Sequence, residues 1–296
     1  MLKNRVNLVA KAFVLYYTFD IKIYVKWKQR DIMVGIGFIG AGNMAFGIAG
    51  GIAKSGMKDA EIMVYDINKQ QYEKFDTIGA KSADNMSELV EHSAYLFLCV
   101  KPQNFEAVMA ELKKFDLKDK IIVTIAAGIT IGYISSMLGE VKVVRVMPNT
   151  PLLLLAGASA LCANFDTASK EFSYVRGIFN AAGTTVVLDE SLMNAVVSVN
   201  GSSPAYVYLF IKSVVDGAKK LGIDEKTATE LICATIDGSV KMVRESGQTT
   251  DGLIKMVSSP GGTTLKALET LYEYKFSEGI IAAMDACTCR ADELSK

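Results

Sequence analysis

Short apolar segments alternate with helical segments between residues 33 and 189. The predicted strands are 34–39, 61–65, 95–100, 121–125, 142–147, 158–163 and 184–188. Helices are predicted between them at 106–115, where apolar residues recur at helical spacing, at 130–138, which Thr130 can cap, and at 167–180. Strands that alternate with helices in this way predict a parallel, doubly wound sheet with both faces covered.

The strand pattern stops after Asp189. Helices are predicted beyond it at 192–199, 205–221, 225–245, 265–273 and 277–294. Residues 205–215 are apolar on nearly every helix face, so this helix is expected to be buried in a bundle or in a subunit interface. The predicted division is an α/β domain at 33–189 and a helical domain at 190–296, and the helical domain is too small to bury such a helix alone. We therefore expect a homo-oligomer.

The first predicted strand leads into a glycine-rich turn, Gly40-x-Gly42-x-x-Ala45, and a helix-like segment follows. Gly40 permits the tight turn, Gly42 leaves room for a pyrophosphate, and Ala45 lets the helix pack closely on the sheet. The helix N-terminus supplies N–H groups and partial positive charge. Because a second predicted strand follows and ends in Asp66, the pattern favours dinucleotide binding over an ordinary strand-turn-helix that binds nothing.

Asp66 stands where an acidic side chain can accept hydrogen bonds from the adenosine ribose. A carboxylate at this position favours NAD(H), whereas Lys69 could pair with the 2′-phosphate of NADP(H). The alternatives are a helix cap for Asp66 and a solvated charge for Lys69. The preference between the two cofactors stays open.

Three further loops follow predicted strands, at the carboxyl edge where open α/β sheets bind ligands. Residues 100–103 offer a cation in Lys101 and a stiff turn at Pro102, although a plain exposed turn is an equal alternative. Residues 126–128 are small enough to leave clearance for a nicotinamide or a ribose. Asn149, in the loop 145–151, is a candidate amide donor or acceptor.

The segment 257–264, Val-Ser-Ser-Pro-Gly-Gly-Thr-Thr, precedes a predicted helix. Hydroxyls and flexible glycines at a helix N-terminus can bind an anion, here a substrate carboxylate. The alternative is a capped loop between two helices, since Ser, Thr and Gly are also good capping residues.

The composition disfavours several kinds of chemistry. His92 is the only histidine and lies in a polar segment, where an exposed helix end is expected, so neither an imidazole base nor a His-rich zinc site is expected. Lys plus Arg and Asp plus Glu both number 32, so no global field recruits nucleic acid or a membrane. Five cysteines without a CxxC pair indicate reduced thiols, a cytoplasmic location and no metal site.

Residues 1–32 differ from the rest of the chain, with seven Lys or Arg against two Asp. They contain no apolar span that could cross a membrane, and they lack the features of a signal or transit peptide. We expect a disordered or non-native extension, with the functional protein beginning at Met33.

Six motifs occur together and in order. They are GFIGAGNM at 37–44, VKPQ at 100–103, IAAGI at 125–129, RVMPNTP at 145–151, NGSSPAY at 200–206 and SSPGGTT at 258–264. With them the chain resembles the Δ1-pyrroline-5-carboxylate reductase family from about Met33 onward. The resemblance implies a Rossmann domain and a helical domain that dimerises by interleaving helices, sometimes into larger rings. It further implies that NAD(P)H reduces pyrroline-5-carboxylate to L-proline, the last step of proline biosynthesis, between one subunit's cofactor domain and its partner's helices.

The resemblance also implies roles for single residues. Together with the ribose candidates Asp66 and Lys69, the expected cofactor-binding residues are Gly40, Gly42, Asn43, Met44, Val100, Lys101, Pro102, Ala126 and Asn149. The substrate carboxylate is assigned to Ser259, Gly262, Thr263 and Thr264. Thr264 is also placed to hydrogen-bond the ring nitrogen, and Thr264 and Lys101 are the expected catalytic residues. Ser203 departs from the family, which has glycine there, and slightly crowds the helix entry.

Two other functions fit parts of the pattern. A 3-hydroxyacid or imine dehydrogenase of similar build would need a catalytic lysine in the helical half, where Lys212 and Lys219 are available but stand outside any glycine-rich helix start. A regulatory protein that binds NAD(P) without turnover would not need the carboxylate loop.

Overall fold

The sheet has eight strands in the computed structural model, which describes residues 33–57 and 59–295. The expectations for residues 1–32 lie outside this range. The strands are β1 (Val34–Ile39), β2 (Ala60–Tyr65), β3 (Lys81–Ser82), β4 (Tyr95–Leu98), β5 (Ile121–Thr124), β6 (Lys142–Met147), β7 (Gly157–Ala163) and β8 (Gly183–Val187). Their order across the sheet is β3-β2-β1-β4-β5-β6-β7-β8, and β1 to β6 run parallel.

Helices cover both faces of the sheet. They are α1 (Asn43–Lys54), α2 (Glu73–Asp76), α3 (Met86–His92), α4 (Phe105–Leu112), α5 (Ile131–Leu138) and α6 (Lys170–Asn180). One buried cluster packs α1 and α6 on the face that carries Phe38 and Phe97, whose rings stack with centroids 4.8 Å apart. A second cluster packs α3, α4 and α5 on the face that carries Leu96 and Leu98. The predicted doubly wound sheet is confirmed.

The direction of β7 corrects the prediction of a parallel sheet. This strand runs antiparallel to β6, with Arg145 opposite Cys162. A parallel crossover needs about a dozen residues or more. The connection at 148–156 is shorter and contains a 3₁₀ turn, Thr150–Leu154, so the chain reverses there. Beyond α6, β8 runs parallel to β7.

The second half of the chain is helical. Its helices are α7 (Ser203–Lys220), α8 (Glu225–Glu245), α9 (Thr250–Met256), α10 (Thr263–Glu273) and α11 (Phe276–Glu293). The bounds of α8 are as predicted, and α9 was not predicted. The predicted helix at 192–199 is confirmed in part, because this segment is helical but irregular, with a 3₁₀ helix at Glu190–Leu192 and a π-helix at Val197–Gly201. Three β-branched valines in this stretch weaken a regular helix.

The apolar helix α7 is largely uncovered in the single chain. Val207, Tyr208, Leu209 and Phe210 are each between 41% and 64% exposed, and Val215 is buried. The core of a bundle within one chain therefore does not bury this helix. Of the two predicted environments, the subunit interface is the one that fits.

Lys275 takes a left-handed backbone conformation just before α11, with φ 54°. A side chain in this region costs about 1–2 kcal/mol, which glycine avoids at the expense of a more flexible unfolded chain. We expect Lys275→Gly to raise the free energy of unfolding by about 0.5–1 kcal/mol, measured by urea denaturation. The control is Lys241→Gly, inside exposed α8 and one turn before its end, which should lower the free energy of unfolding by up to about 1 kcal/mol. A loss of stability in both variants would contradict the prediction.

Candidate active site

The glycine turn after β1 has two glycines with different roles. Gly40 has φ 98°, and a Cβ placed there would lie 2.9 Å from the carbonyl carbon of Cys99 at the end of β4, so a side chain is excluded. Gly42 has φ −68°, and a Cβ placed there meets no atom within 4 Å. The space above Gly42 is therefore open to a ligand, as the sequence predicts for the pyrophosphate.

The helix α1 begins beside this open space. Gly42 is the N-cap and provides no side-chain cap, and no acidic residue stands in the first turn. Asn43 is exposed and Met44 is half-buried. Uncapped N–H groups at the positive end of a helix attract an anion. These residues fit the phosphates of a dinucleotide.

Asp66 follows β2 and reaches back to the glycine turn. Its Oδ2 accepts a hydrogen bond from the N–H of Ala41 at 2.7 Å, and its Oδ1 accepts one from the N–H of Asn68 at 2.8 Å. The carboxylate therefore lies beside the glycine turn, where the ribose is expected, and it does not cap a regular helix. The exposed Lys69 begins a 3₁₀ turn, Lys69–Gln71, beyond it.

Two neighbours of Asp66 were missed by the sequence reasoning. The Tyr72 hydroxyl donates to the Asp66 carbonyl at 2.8 Å and accepts from the Asp66 N–H at 2.9 Å. The Lys74 amine donates to Gln71 at 2.8 Å and to Asn43 at 3.4 Å, which connects α2 with the start of α1. The motif spacing ends at Asp66, and only the fold brings this short helix back onto the glycine turn.

The loops after β4 and β5 lie at the same edge of the sheet as the glycine turn, because β1, β4 and β5 are adjacent and parallel. A Cβ at Gly40 would lie 3.0 Å from a methyl group of Val100, so Val100 lines the turn directly. Lys101 is exposed and precedes a 3₁₀ turn, Pro102–Asn104. Ala126 is buried at the end of β5. The fold thus brings these predicted cofactor residues together.

Asn149 is buried and uses its amide to hold the structure together. Its Nδ2 donates to the carbonyl of Asn200 at 3.1 Å, and its Oδ1 accepts from the N–H of Ala158 at 2.9 Å. Asn200 in turn donates to the carbonyls of Met147 and Ala158. Contact between Asn149 and a cofactor stays a prediction. The side-chain amide of Asn149 has one N–H and one oxygen lone pair left for such a contact.

Arg145 carries a buried charge that joins the sheet to the helical half. Its guanidinium lies 3.4 Å from Glu190 and donates to Asn194 at 2.6 Å. Glu190 also accepts from the N–H of Ile131 at the start of α5, at 2.8 Å. Asn194 then donates to Asp292 in α11 at 2.7 Å. This network, which sequence spacing could not reveal, connects β6 and the start of α5 with the segment 190–194 and with α11.

The SSPGGTT loop leads into α10 through a second glycine N-cap. Gly262 is the N-cap without a side-chain cap, and Gly261 has φ 73°. A Cβ at Gly262 would lie 2.6 Å from the Ser259 hydroxyl, so only glycine fits there without displacing it. Thr263 is exposed and Thr264 is half-buried. Within the described residues, no hydrogen bond joins this loop to the glycine turn.

His92 lies at the amino ends of the parallel strands, opposite the carboxyl ends that carry the glycine turn. It ends α3 as predicted, but it is half-buried and not exposed, because its ring packs on β2 with Nε2 3.2 Å from the carbonyl of Glu61. Glu61 stands near the start of β2, whereas the glycine turn lies beyond the strand ends. The imidazole is therefore remote from the candidate site.

Comparisons with known proteins cover both halves of the chain. The family model "Pyrroline-5-carboxylate reductase dimerisation" matches residues 190–294, and "NADP oxidoreductase coenzyme F420-dependent" matches residues 35–128. The pyrroline-5-carboxylate reductase of Escherichia coli is 36% identical over 264 residues, which are 88% of this chain and 98% of that protein. The Arabidopsis thaliana enzyme is 32% identical over 88% of this chain and 95% of its own length.

Comparison with solved structures points to the same family. Plasmodium falciparum pyrroline carboxylate reductase with NADP bound has a TM-score of 0.81 at 31% identity, and covers 89% of this chain and 98% of its own. A reductive aminase from Aspergillus terreus, at 14% identity and a TM-score of 0.55, shares the fold alone. Fold and site together define a nicotinamide-dinucleotide-dependent oxidoreductase. The chain belongs to the pyrroline-5-carboxylate reductase family.

The rival dehydrogenase is not favoured. Lys212 pairs with Asp216, and Lys219 donates to Glu225 at 2.6 Å, both on the exposed surface of the helical half. Neither lysine stands at a glycine-rich helix start.

Proposed function

We propose that this chain reduces Δ1-pyrroline-5-carboxylate to L-proline with NAD(P)H, as the last step of proline biosynthesis. The observation that carries the proposal is that two helices begin at a glycine N-cap without a side-chain cap, one at Gly42 and one at Gly262. The first suits the phosphates of a dinucleotide and the second suits a carboxylate. The relatives named as pyrroline-5-carboxylate reductases support this reading.

The cofactor is proposed to lie along the carboxyl edge of the sheet. Its phosphates are assigned to Gly40, Gly42, Asn43 and Met44, its ribose to Asp66 and Lys69, and its nicotinamide side to Val100, Lys101, Pro102, Ala126 and Asn149. When bound, the reduced nicotinamide supplies the hydride. The residues around it hold donor and acceptor in reactive geometry and restrict exchange with water.

The substrate is proposed to bind at the SSPGGTT loop. Its carboxylate is assigned to the hydroxyls of Ser259 and Thr263 and to the N–H groups that follow Gly262, and Thr264 orients the ring nitrogen. A cyclic imine can arrive already protonated, so that no strong acid and no imidazole are required. Lys101 adds a cation on the nicotinamide side.

Two copies of the chain are proposed to complete each site. The match of residues 190–294 to a dimerisation family and the uncovered apolar face of α7 support a homodimer through the helical half. Interleaved helices would bring one copy's SSPGGTT loop to the other copy's cofactor domain. Larger rings of dimers would need a second interface in addition to this one.

The cytoplasm is the proposed location. All five cysteines are free thiols. The described part of the chain contains no helix that is both long and apolar enough to span a membrane. The balanced charge offers no general attraction for nucleic acid or a membrane surface.

The test is the oxidation of NADH and of NADPH by the purified protein, followed with and without pyrroline-5-carboxylate. The proposal expects oxidation that depends on the substrate and yields proline. Cofactor binding without any oxidation would instead favour a regulatory protein.

Thr264→Ala is expected to lower kcat/KM about 10- to 100-fold, because the ring nitrogen loses its orienting partner. The matched control is Thr270→Ala in the same helix, where the hydroxyl donates to the carbonyl of Lys266. Steady-state kinetics with both variants decide the point. An unchanged kcat/KM for Thr264→Ala would remove this residue from the site.

A further inference from the structure

Asp66 occupies a fixed position next to the phosphate site. Both of its carboxylate oxygens accept backbone hydrogen bonds, one from Ala41 and one from Asn68. Ala41 immediately precedes Gly42, so the carboxylate is tied to the turn that is assigned to the pyrophosphate. Each oxygen keeps a further lone pair, since a carboxylate oxygen can accept two hydrogen bonds.

Tyr72 holds the backbone of Asp66 in the same way. Its hydroxyl both donates to and accepts from the main chain of Asp66. Burial raises the pKa of Tyr72, so the phenol stays neutral and keeps its donor. With main chain and side chain both fixed, the carboxylate cannot easily turn away from a negative group that approaches it.

Lys74 attracts this carboxylate but does not form an ion pair with it. Lys74 is engaged with Gln71 and Asn43, and Lys69 lies exposed on its 3₁₀ turn. Among the described residues, Asp66 forms no salt bridge. A second anion within a few ångströms of an unpaired carboxylate is repelled, whereas ribose hydroxyls can donate to it.

We propose that Asp66 makes this chain prefer NADH over NADPH. The carboxylate accepts hydrogen bonds from the hydroxyls of the adenosine ribose and repels the 2′-phosphate. Asp66 is thus a specificity-determining residue of the cofactor site. The proposal rests on the proposed function for the existence of that site, and it adds the choice of cofactor.

The test compares dissociation constants, which need no turnover. Calorimetric titration of the full chain with NADH and with NADPH is expected to give at least tenfold tighter binding of NADH. Asp66→Asn keeps the shape and removes the charge, so it should tighten NADPH at least tenfold and weaken NADH. Asp66→Ser, which has a smaller uncharged side chain, should change the two dissociation constants in the same directions. The matched control, Asp76→Asn, removes an exposed charge from neighbouring α2 and should leave both constants unchanged.

Ionic strength provides a second readout. Salt screens exposed charges, so the dissociation constants of NADH and NADPH for the unaltered protein should become more similar as the salt concentration is raised. The Plasmodium falciparum relative was solved with NADP, which makes the opposite preference a concrete alternative.

Several results would overturn the proposal. One is that the unaltered protein binds NADPH as tightly as NADH or more tightly. Another is that the ratio of the two dissociation constants is unchanged in both Asp66 variants. A third is that neither cofactor binds. The expected ratios without substrate-dependent oxidation would leave the role of Asp66 standing and would refute the reductase. Substrate-dependent oxidation without a preference for NADH would support the reductase and would refute the role of Asp66.

Discussion

Replacing Gly42 with leucine is expected to weaken dinucleotide binding at least 100-fold, equivalent to about 2.7 kcal/mol. The backbone of Gly42 suits any residue, and a Cβ there meets no protein atom, so the new side chain fills the space assigned to the pyrophosphate. The free energy of unfolding should fall by less than about 1 kcal/mol, because glycine is the better N-cap. Titration with NADH and urea denaturation measure the two effects.

Gly50→Leu is the matched control for this variant. Gly50 lies in the same helix, and a Cβ there also meets no atom within 4 Å. Leucine has a higher helix propensity than glycine, so the free energy of unfolding should rise slightly, while the dissociation constant of NADH stays the same. If Gly42→Leu bound NADH as tightly as Gly50→Leu, the phosphates would have to lie elsewhere.

Replacing Glu190 with alanine is expected to lower the free energy of unfolding by about 3 kcal/mol. Arg145 is 4% exposed, and among the residues that the structure describes it would keep Asn194 alone as a side-chain partner for its buried charge. The N–H of Ile131 would lose its acceptor as well. Urea denaturation at one protein concentration gives the change, since oligomers make stability depend on concentration.

Glu111→Ala is the comparison for Glu190. Glu111 pairs with Lys114 across one turn of the exposed surface near the end of α4, and such pairs contribute little. A change of less than about 0.5 kcal/mol is expected. Equal losses in both variants would mean that the Arg145 network does not brace the fold.

The sheet could be predicted from the sequence because apolar runs and the helices between them are local signals. The end of α3 at His92 was predicted, but its start was not, although the signal is present: Asn85 caps the helix by accepting from the N–H of Glu88, and Glu88 accepts from the N–H of Asp84. The reversal at β7 could not be read from hydrophobic pattern, since a buried strand has the same composition in either direction. It depends on the length of the preceding connection.

The site was predictable where a motif requires a special backbone. Gly40 and Gly262 are positions where a side chain would collide, and both were assigned from their motifs. Tyr72 and Arg145 were not found, because their partners are distant in sequence or form no recurring spacing. The tie between Asn149 and Asn200 spans 51 positions and exists only in the folded chain.

The contact between α11 and the loop after β5 has a consequence for synthesis of the chain. The carbonyl oxygen of Leu294 would lie 2.8 Å from a Cβ at Gly128, and Asn194 binds Asp292 across 98 positions. A ribosome makes the cofactor loops long before it makes the segment that covers them. The nascent Rossmann half therefore emerges with the loop after β5 bare, and residues 292–294 can cover Gly128 only after they have left the exit tunnel.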